Sequence, residues 1–339
     1  MKAQAALMKA AVIQQPGSPD VFQISEVPSP SCGPTEVVVK IAVSAVNPID
    51  TYFRSGAIEV PGPFPLILGC DFAGTVEEVG PDVSKFQVGD RVWGSNQGLF
   101  GQPGTLAEKI AVDEKWAYHT PENMSDQDAA AGALTGITAQ LGLFLHGRLQ
   151  SGETVFVNGG TGGVGSMVVQ FAKAAGAKVV TTAGAEEKQQ LARELGADDV
   201  LDYRSENLEN ELRDAAASSG GFDIWWETQR EPNLPLAIPT MKKRGRIILM
   251  AGREAQPQFP LGPFYVNDLQ MLGFAMFNAS ADEQRDCAER MNSMWSAGKW
   301  KPVIGQTFSL DNVASAHQLQ EDNTLGKAHT VTGKILVEI

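Results

Sequence analysis

At 339 residues the chain is long enough for about two domains, and 43% hydrophobic with 20% charged residues excludes a disordered or fibrous protein. Its 27 basic against 40 acidic residues leave a net charge of −13. That balance supplies no electrostatic footprint for nucleic acid or an anionic membrane, although a locally basic pocket could still hold a small anionic cofactor.

Along the chain, the opening Met1–Leu7 stretch is interrupted by Gln4, with Lys9 close behind, and lacks the apolar core of a signal peptide. Glu36–Val43 mixes β-branched residues with polar breaks and predicts a strand. Turn signals follow at Pro48, Gly56, Pro61-Gly62-Pro63, Gly69, Gly80-Pro81 and Gly89-Asp90, so roughly the first 125 residues read as β-rich. The texture then changes. Strand-like Val155–Val157 precedes a helical pattern over Val164–Ala175, and Lys178–Thr182 precedes one over Glu186–Leu195. Short apolar runs recur at Val200-Leu201, Phe222–Trp225 and Arg246–Met250. This β-α-β spacing predicts a parallel sheet with crossover helices. Asp282–Gly298 reads as an amphipathic helix and Gly333–Ile339 as a last strand. The uncharged windows Ala129–Gly147 and Thr154–Ala172 carry too many polar and Gly residues to read as bilayer spans. Cys32, Cys70 and Cys287 form no CxxC pair, metal quartet or even disulfide set, and the expected location is cytoplasmic.

The strongest motif is Asn158-Gly159-Gly160-Thr161-Gly162-Gly163-Val164-Gly165, directly after one predicted strand and opening one predicted helix. Gly160, Gly162 and Gly165 fall in G-x-G-x-x-G spacing. That pattern permits a tight turn, lets backbone N–H groups approach a pyrophosphate, and aims a helix N-terminus at it. Cofactor contacts are therefore expected from Gly160, Thr161, Gly162, Gly163, Val164 and Gly165. An NAD site would place an acid about 20 residues on, at the end of the second strand, to bind the ribose 2′-OH. That stretch reads Thr181-Thr182-Ala183-Gly184-Ala185 and has no acid. Lys188 follows one turn into the next helix, and Tyr203-Arg204 follows the third strand. A small uncharged Gly184 with Lys188, Tyr203 and Arg204 nearby suits a 2′-phosphate, so the expected cofactor is NADPH.

Beyond the loop, Asn47-Pro48-Ile49-Asp50-Thr51-Tyr52, Gly69-Cys70-Asp71-Phe72-Ala73-Gly74, Val88-Gly89-Asp90-Arg91-Val92 and Leu195-Gly196-Ala197-Asp198 complete a pattern running nearly end to end. It resembles the zinc-independent medium-chain dehydrogenases/reductases of the NADPH:quinone oxidoreductase branch. The resemblance implies an α/β fold: a Rossmann doubly wound parallel sheet plus a GroES-like β-rich domain. The expected boundaries are a GroES-like substrate domain at 1–128, a Rossmann domain at 129–279, and a return to the first domain at 280–339. Zinc alcohol dehydrogenases of the superfamily carry a Cys near Val46–Asn47 and a His near Cys70, and a four-Cys lobe. None of these is present here, and zinc needs three or four such ligands. Cys70 is expected to be a small buried residue, and His119, His146, His317 and His329 to be surface or structural.

Without a metal, hydride delivery to an already electrophilic quinone or α,β-unsaturated carbonyl remains feasible, provided hydrogen-bond donors meet the oxygen that gains charge. The resemblance implies catalytic roles for Asn47, donating through its amide, and Tyr52, donating to the acceptor oxygen or relaying a proton. It also implies nicotinamide neighbours at Thr138, Gly252, Phe274 and Met276. Enoyl-thioester reductases of the superfamily carry a catalytic Tyr eleven residues after the equivalent of Asn47, where this chain has Ile58. That reading and a non-catalytic NADPH-binding member are the alternatives. Trp225-Trp226 departs from the usual small residue and Gly, and suits a cleft entrance, an interface or a core. Leu269–Met276 resembles the strand through which family dimers extend one sheet, so a homodimer is expected.

Overall fold

The computed structural model describes residues 6–59, 62–326, 328 and 330–339. The expectations at Met1–Ala5, Pro61 and His329 lie outside the described residues. The chain divides into two compact units, residues 1–134 with 280–296 and 302–339, and residues 135–279 with 297–301. The first boundary thus lies at 134/135 rather than 128/129, and the short segment 297–301 sides with the second unit.

In the first unit, β1 (Leu7–Ile13) pairs antiparallel with β2 (Phe22–Pro28). β3 (Glu36–Val46) is the long central strand. It is followed by α1 (Pro48–Ser55), the short β4 (Leu66–Ile67), β5 (Asp71–Val79), β6 (Arg91–Gly94), β7 (Lys109–Asp113) and β8 (Ala117–His119). The helix α2 (Asp126–Gln140) carries the chain onward. β3 pairs with β5 on one side, and Val37, Val39 and Ile41 pack with Phe72, Val76, Val92 and Ile110 in the core beneath. That packing explains why the β-branched run at Glu36–Val43 forms a strand.

The second unit holds β9 (Thr154–Asn158), α3 (Gly163–Ala174), β10 (Lys178–Ala183), α4 (Glu186–Glu194), β11 (Asp199–Asp202), α5 (Leu208–Ser218), β12 (Phe222–Glu227), α6 (Leu234–Thr240), β13 (Met241–Leu249), α7 (Leu261–Val266) and β14 (Gln270–Gly273). All six strands run parallel in the order β11-β10-β9-β12-β13-β14. This is the doubly wound arrangement, whose order reverses between β9 and β12. The chain then returns to the first unit as α8 (Ala281–Ser296), β15 (Ile304–Ser309), α9 (Val313–Thr324) and β16 (Lys334–Glu338), the last pairing antiparallel with β3.

One open reading is resolved and one expected strand is shortened. Trp225 and Trp226 are 2% and 0% exposed. Trp225 packs on Phe156 at 4.2 Å between ring centroids, and Trp226 lies edge-on to Phe274 at 6.2 Å. Both are core residues. The run Leu269–Met276 forms a strand only at Gln270–Gly273, then a 3-10 turn at Met276–Asn278. Among the described residues one helical stretch, Asp126–His146, is long and apolar enough to cross a bilayer by length and composition alone, and it is mostly buried in the fold.

In α9, His317 is fully buried against the Phe22 ring, 4.7 Å between centroids, and among the described residues neither ring nitrogen has a partner. Burial, reinforced by the Arg54 charge, pushes its pKa down to about 3. The folded state therefore stays neutral while the unfolded chain binds a proton below its ordinary value near 6.5. The contribution is fully present above that value and is lost as pH falls toward 3. At pH 5 the expected loss is about 2 kcal/mol. His317→Leu should shrink the drop in unfolding free energy between pH 7 and pH 5 by about that amount in urea titrations. An unchanged drop would show that His317 is not the acid-sensitive group.

Candidate active site

The glycine loop joins β9 to α3. Gly159 takes φ +89° and Gly162 caps the helix in extended geometry. A Cβ on Gly165 would sit 2.1 Å from the Gly159 carbonyl oxygen, so the helix can pack this close to the loop only with glycine there. At Gly162 the nearest atom would be 3.7 Å away, which marks the open side of the cradle. Thr161 is buried, while Gly163 and Val164 open the first turn of α3. Loop shape, an open face and the first-turn amides of α3 fit a dinucleotide pyrophosphate.

Three strand ends brace this loop. Thr182 Oγ1 accepts from Gly159 N–H at 2.9 Å and donates to Asn158 Oδ1 at 3.0 Å. Asn158 in turn donates through Nδ2 to both oxygens of Glu227, at 2.9 and 3.1 Å. Thr228 Oγ1 donates to the Asn158 carbonyl. Asn158, Thr182 and Glu227 were missed as site residues by sequence reasoning, because only the parallel register makes them neighbours.

At the end of β10, Gly184 lies beneath Tyr203: a Cβ there would meet the phenol Oη at 2.6 Å and Cζ at 2.7 Å. An acidic side chain at this position would have to displace the ring. Arg204 donates to the Gly184 carbonyl and pairs with Asp202 at 2.9 Å. That hydrogen-bonded pairing holds the Asp202 carboxyl below its ordinary range and the guanidinium above its own. Lys188, in the first turn of α4, is half-buried, and burial lowers its pKa. Gly252, at φ +85°, and Phe274 follow the ends of β13 and β14, on the same carboxyl edge as the loop. Thr138 and Met276 are 4% and 3% exposed, so their side chains are packed within the fold.

The first unit brings Asn47 and Tyr52 together on α1, with Asn47 at its N-terminus. Asp50 Oδ2 accepts the Asn47 backbone N–H at 2.7 Å, and Pro48 at the first helical position suits the start. Behind this cap lies a buried polar cluster. Asn47 Nδ2 donates to Asp71 Oδ2 at 2.8 Å and to the Ala45 carbonyl at 3.2 Å. Lys334 Nζ donates to Asn47 Oδ1 and, at 2.8 Å, to the Val46 carbonyl, and lies 3.9 Å from Asp71 Oδ2. Both amide hydrogens of Asn47 thus have partners inside the unit. Tyr52 is half-buried on the same helix.

Cys70 is a free, fully buried thiol that donates to Asp50 Oδ1 at 2.9 Å. Burial, with Asp50 and Asp71 nearby, pushes the thiol well above its usual range, so it is a poor thiolate ligand or nucleophile. Burial likewise pushes Asp50 up to about 6, against the Cys70 and Asn47 donors that lower it. Lys334 is pushed down by burial and partly restored by the Asp71 charge. Among the described residues no group of three or more His, Cys, Asp or Glu is arranged to hold a metal ion.

Comparison with known proteins agrees with both halves of the fold. Residues 33–122 match the family described as alcohol dehydrogenase GroES-like domain, and residues 163–293 the family described as zinc-binding dehydrogenase. The chain is 31% identical over 328 residues to a quinone oxidoreductase of Rattus norvegicus, covering 95% of this chain and 97% of that one. It is 34% identical over 339 residues to a 2-methylene-furan-3-one reductase of Solanum lycopersicum, covering 97% of this chain and 79% of that one. The solved structure of an NAD-dependent alcohol dehydrogenase superposes with a TM-score of 0.88 at 29% identity, over 98% of this chain and 100% of that one. With this fold, this cradle and these relatives, the chain belongs to the quinone oxidoreductase branch of the medium-chain dehydrogenases/reductases.

Proposed function

We propose that this protein is an NADPH-dependent reductase that transfers hydride to quinones or other α,β-unsaturated carbonyls without a metal. The observation that carries the cofactor choice is the end of β10. The stretch Thr181–Ala185 carries no acid for a ribose 2′-OH, the neighbouring Asp202 is engaged by Arg204, Tyr203 covers Gly184, and Lys188 stands one turn into α4. Lys188, Tyr203 and Arg204 are the groups assigned to the 2′-phosphate, with Arg204 also paired to Asp202. Relatives named for quinone and enone-type reduction support the acceptor class.

A bound reduced nicotinamide would supply the hydride. The glycine loop and α3 hold its pyrophosphate, and Gly252 and Phe274 flank the other half at the ends of β13 and β14. Tyr52 Oη donates a hydrogen bond to the acceptor oxygen as charge builds there, and the proton comes from Tyr52 or water. Metal-free chemistry suits the donor set, since Cys70 is held as a thiol and the Asn47 amide is engaged by Asp71 and Lys334. The protein is read as a cytoplasmic homodimer, with the edge strand β14 and the exposed Leu261, Tyr265 and Val266 of α7 as the joining face. Light scattering at about 36 kDa, the mass of one chain, would contradict that assembly.

The test is loss of NADPH absorbance with a panel of quinones and enones, run beside NADH. Turnover at least tenfold faster with NADPH, and a drop of 10²–10⁴-fold in Tyr52→Phe, are expected. Equal rates with NADH would sink the 2′-phosphate assignment. Full turnover in Tyr52→Phe would remove the tyrosine from the chemistry. NADPH binding without turnover on any of these acceptors would favour enoyl-thioester substrates or a non-catalytic member of the family.

A further inference from the structure

Glu227 ends β12 and is 2% exposed. Every polar contact it makes comes from a donor. Asn158 Nδ2 reaches Oε1 at 2.9 Å and Oε2 at 3.1 Å. The Gln229 backbone N–H reaches Oε1 at 2.7 Å, and the Trp225 indole N–H reaches Oε2 at 3.1 Å. A protonated acid would have to turn its own O–H against one of these donors, so the pattern holds a carboxylate anion. Burial pushes its pKa above the usual carboxylate range, while the Gln229, Asn158 and Trp225 donors pull it back down, and among the described residues it forms no ion pair. A deeply buried acid is normally paired with a cation. This one is held by neutral dipoles, with no cationic partner among the described residues.

The charge sits at a particular place. Glu227 lies beside Asn158 in register, where the strand order reverses between β9 and β12. Ligands of doubly wound sheets bind outside the carboxyl ends at this point. The loop on β9 takes the pyrophosphate and β10 faces the 2′ end of the adenosine ribose, which leaves the β12 side for the nicotinamide half. When the dihydropyridine gives a hydride, with both bonding electrons, to the acceptor carbon, the ring that remains carries one positive charge.

We propose that the Glu227 carboxylate is a positioning residue of electrostatic kind. Its fixed negative charge favours the oxidised, cationic nicotinamide over the reduced, neutral one and so assists hydride donation. The Asn158–Thr182–Gly159 chain of hydrogen bonds keeps that charge in place relative to the glycine loop. The inference rests on the nicotinamide reading given above.

Binding of NADP+ and NADPH, each followed by quenching of tryptophan fluorescence, tests it without turnover. In Glu227→Gln the ratio of the NADP+ Kd to the NADPH Kd should rise at least tenfold over the native protein, almost all of it in NADP+. A role confined to bracing the loop would weaken both nucleotides by the same factor, and that result overturns the proposal. The glutamine amide would face the Asn158 and Trp225 donors and could disturb folding. The double exchange Glu227→Gln with Asn158→Asp restores a donor–acceptor pair and moves the charge by one strand. Its ratio should return to within about threefold of the native protein; a ratio like that of Glu227→Gln overturns the proposal as well. Native protein that binds neither nucleotide would instead bring down the nicotinamide reading itself.

Discussion

Lys334→Met is expected to cost about 3–5 kcal/mol of unfolding free energy, the range for removing one partner of a buried ion pair. Lys334 is 5% exposed and Asp71 0%. Without the ammonium, Asp71 keeps an uncompensated buried charge, and the Asn47 Oδ1 and Val46 carbonyl acceptors both lose a donor. Methionine keeps most of the aliphatic stem, so lost packing contributes little. The measurement is urea unfolding of the native chain, Lys334→Met, and the double variant Lys334→Met with Asp71→Asn. The double variant should recover a large part of the loss, since it removes the orphaned charge. A Lys334→Met cost below about 1 kcal/mol would show that the cluster does not depend on the ammonium. Because Asn47 caps α1, folded Lys334→Met should also turn over more slowly through a displaced Tyr52.

The second large effect concerns the glycine cradle. Gly165→Val should weaken NADPH binding by 100-fold or more, about 2.7 kcal/mol. A Cβ at that position lies 2.1 Å from a backbone oxygen, which no side-chain rotation can relieve. The loop must move, and its N–H groups move with it. Gly162→Ala makes the informative contrast. Its Cβ meets nothing closer than 3.7 Å in the fold, so the melting temperature should change little. The methyl group would nevertheless occupy the open side of the cradle and weaken NADPH by about tenfold, or 1.4 kcal/mol. Native-like affinity in Gly165→Val would contradict the pyrophosphate assignment.

Much of the second unit was legible because its signals are local. The strand at Val155–Val157 and the helix at Val164–Ala175 appear as Thr154–Asn158 and Gly163–Ala174, and the Gly spacing between them carries its own geometric reason. The absent acid at the end of β10 is also a local fact. Contacts between distant residues were not legible. Lys334 lies 288 residues beyond Val46, and only the pairing of β16 with β3 brings its ammonium to the start of α1. A lysine inside an apolar closing strand was the one available hint. Glu227 was visible as the acid after Trp225-Trp226, yet its lack of a cationic partner depends on which strands lie beside β12. Asn47 makes another contact that its motif did not reveal. Its place in the motif suggested donation to substrate, while its neighbours in space absorb both amide hydrogens. The tryptophans were ambiguous for a related reason, since a parallel strand buried on both faces reads as a plain apolar run.

The central claim is that hydride passes from NADPH to carbon of an activated acceptor. The most direct measurement uses NADPH deuterated at the transferring C4 position, an α,β-unsaturated ketone, and mass spectrometry of the product. The account predicts one deuterium per product molecule, located on the β-carbon, with the α-hydrogen drawn from solvent. Product without that deuterium, or reduction that proceeds equally well without NADPH, would contradict it.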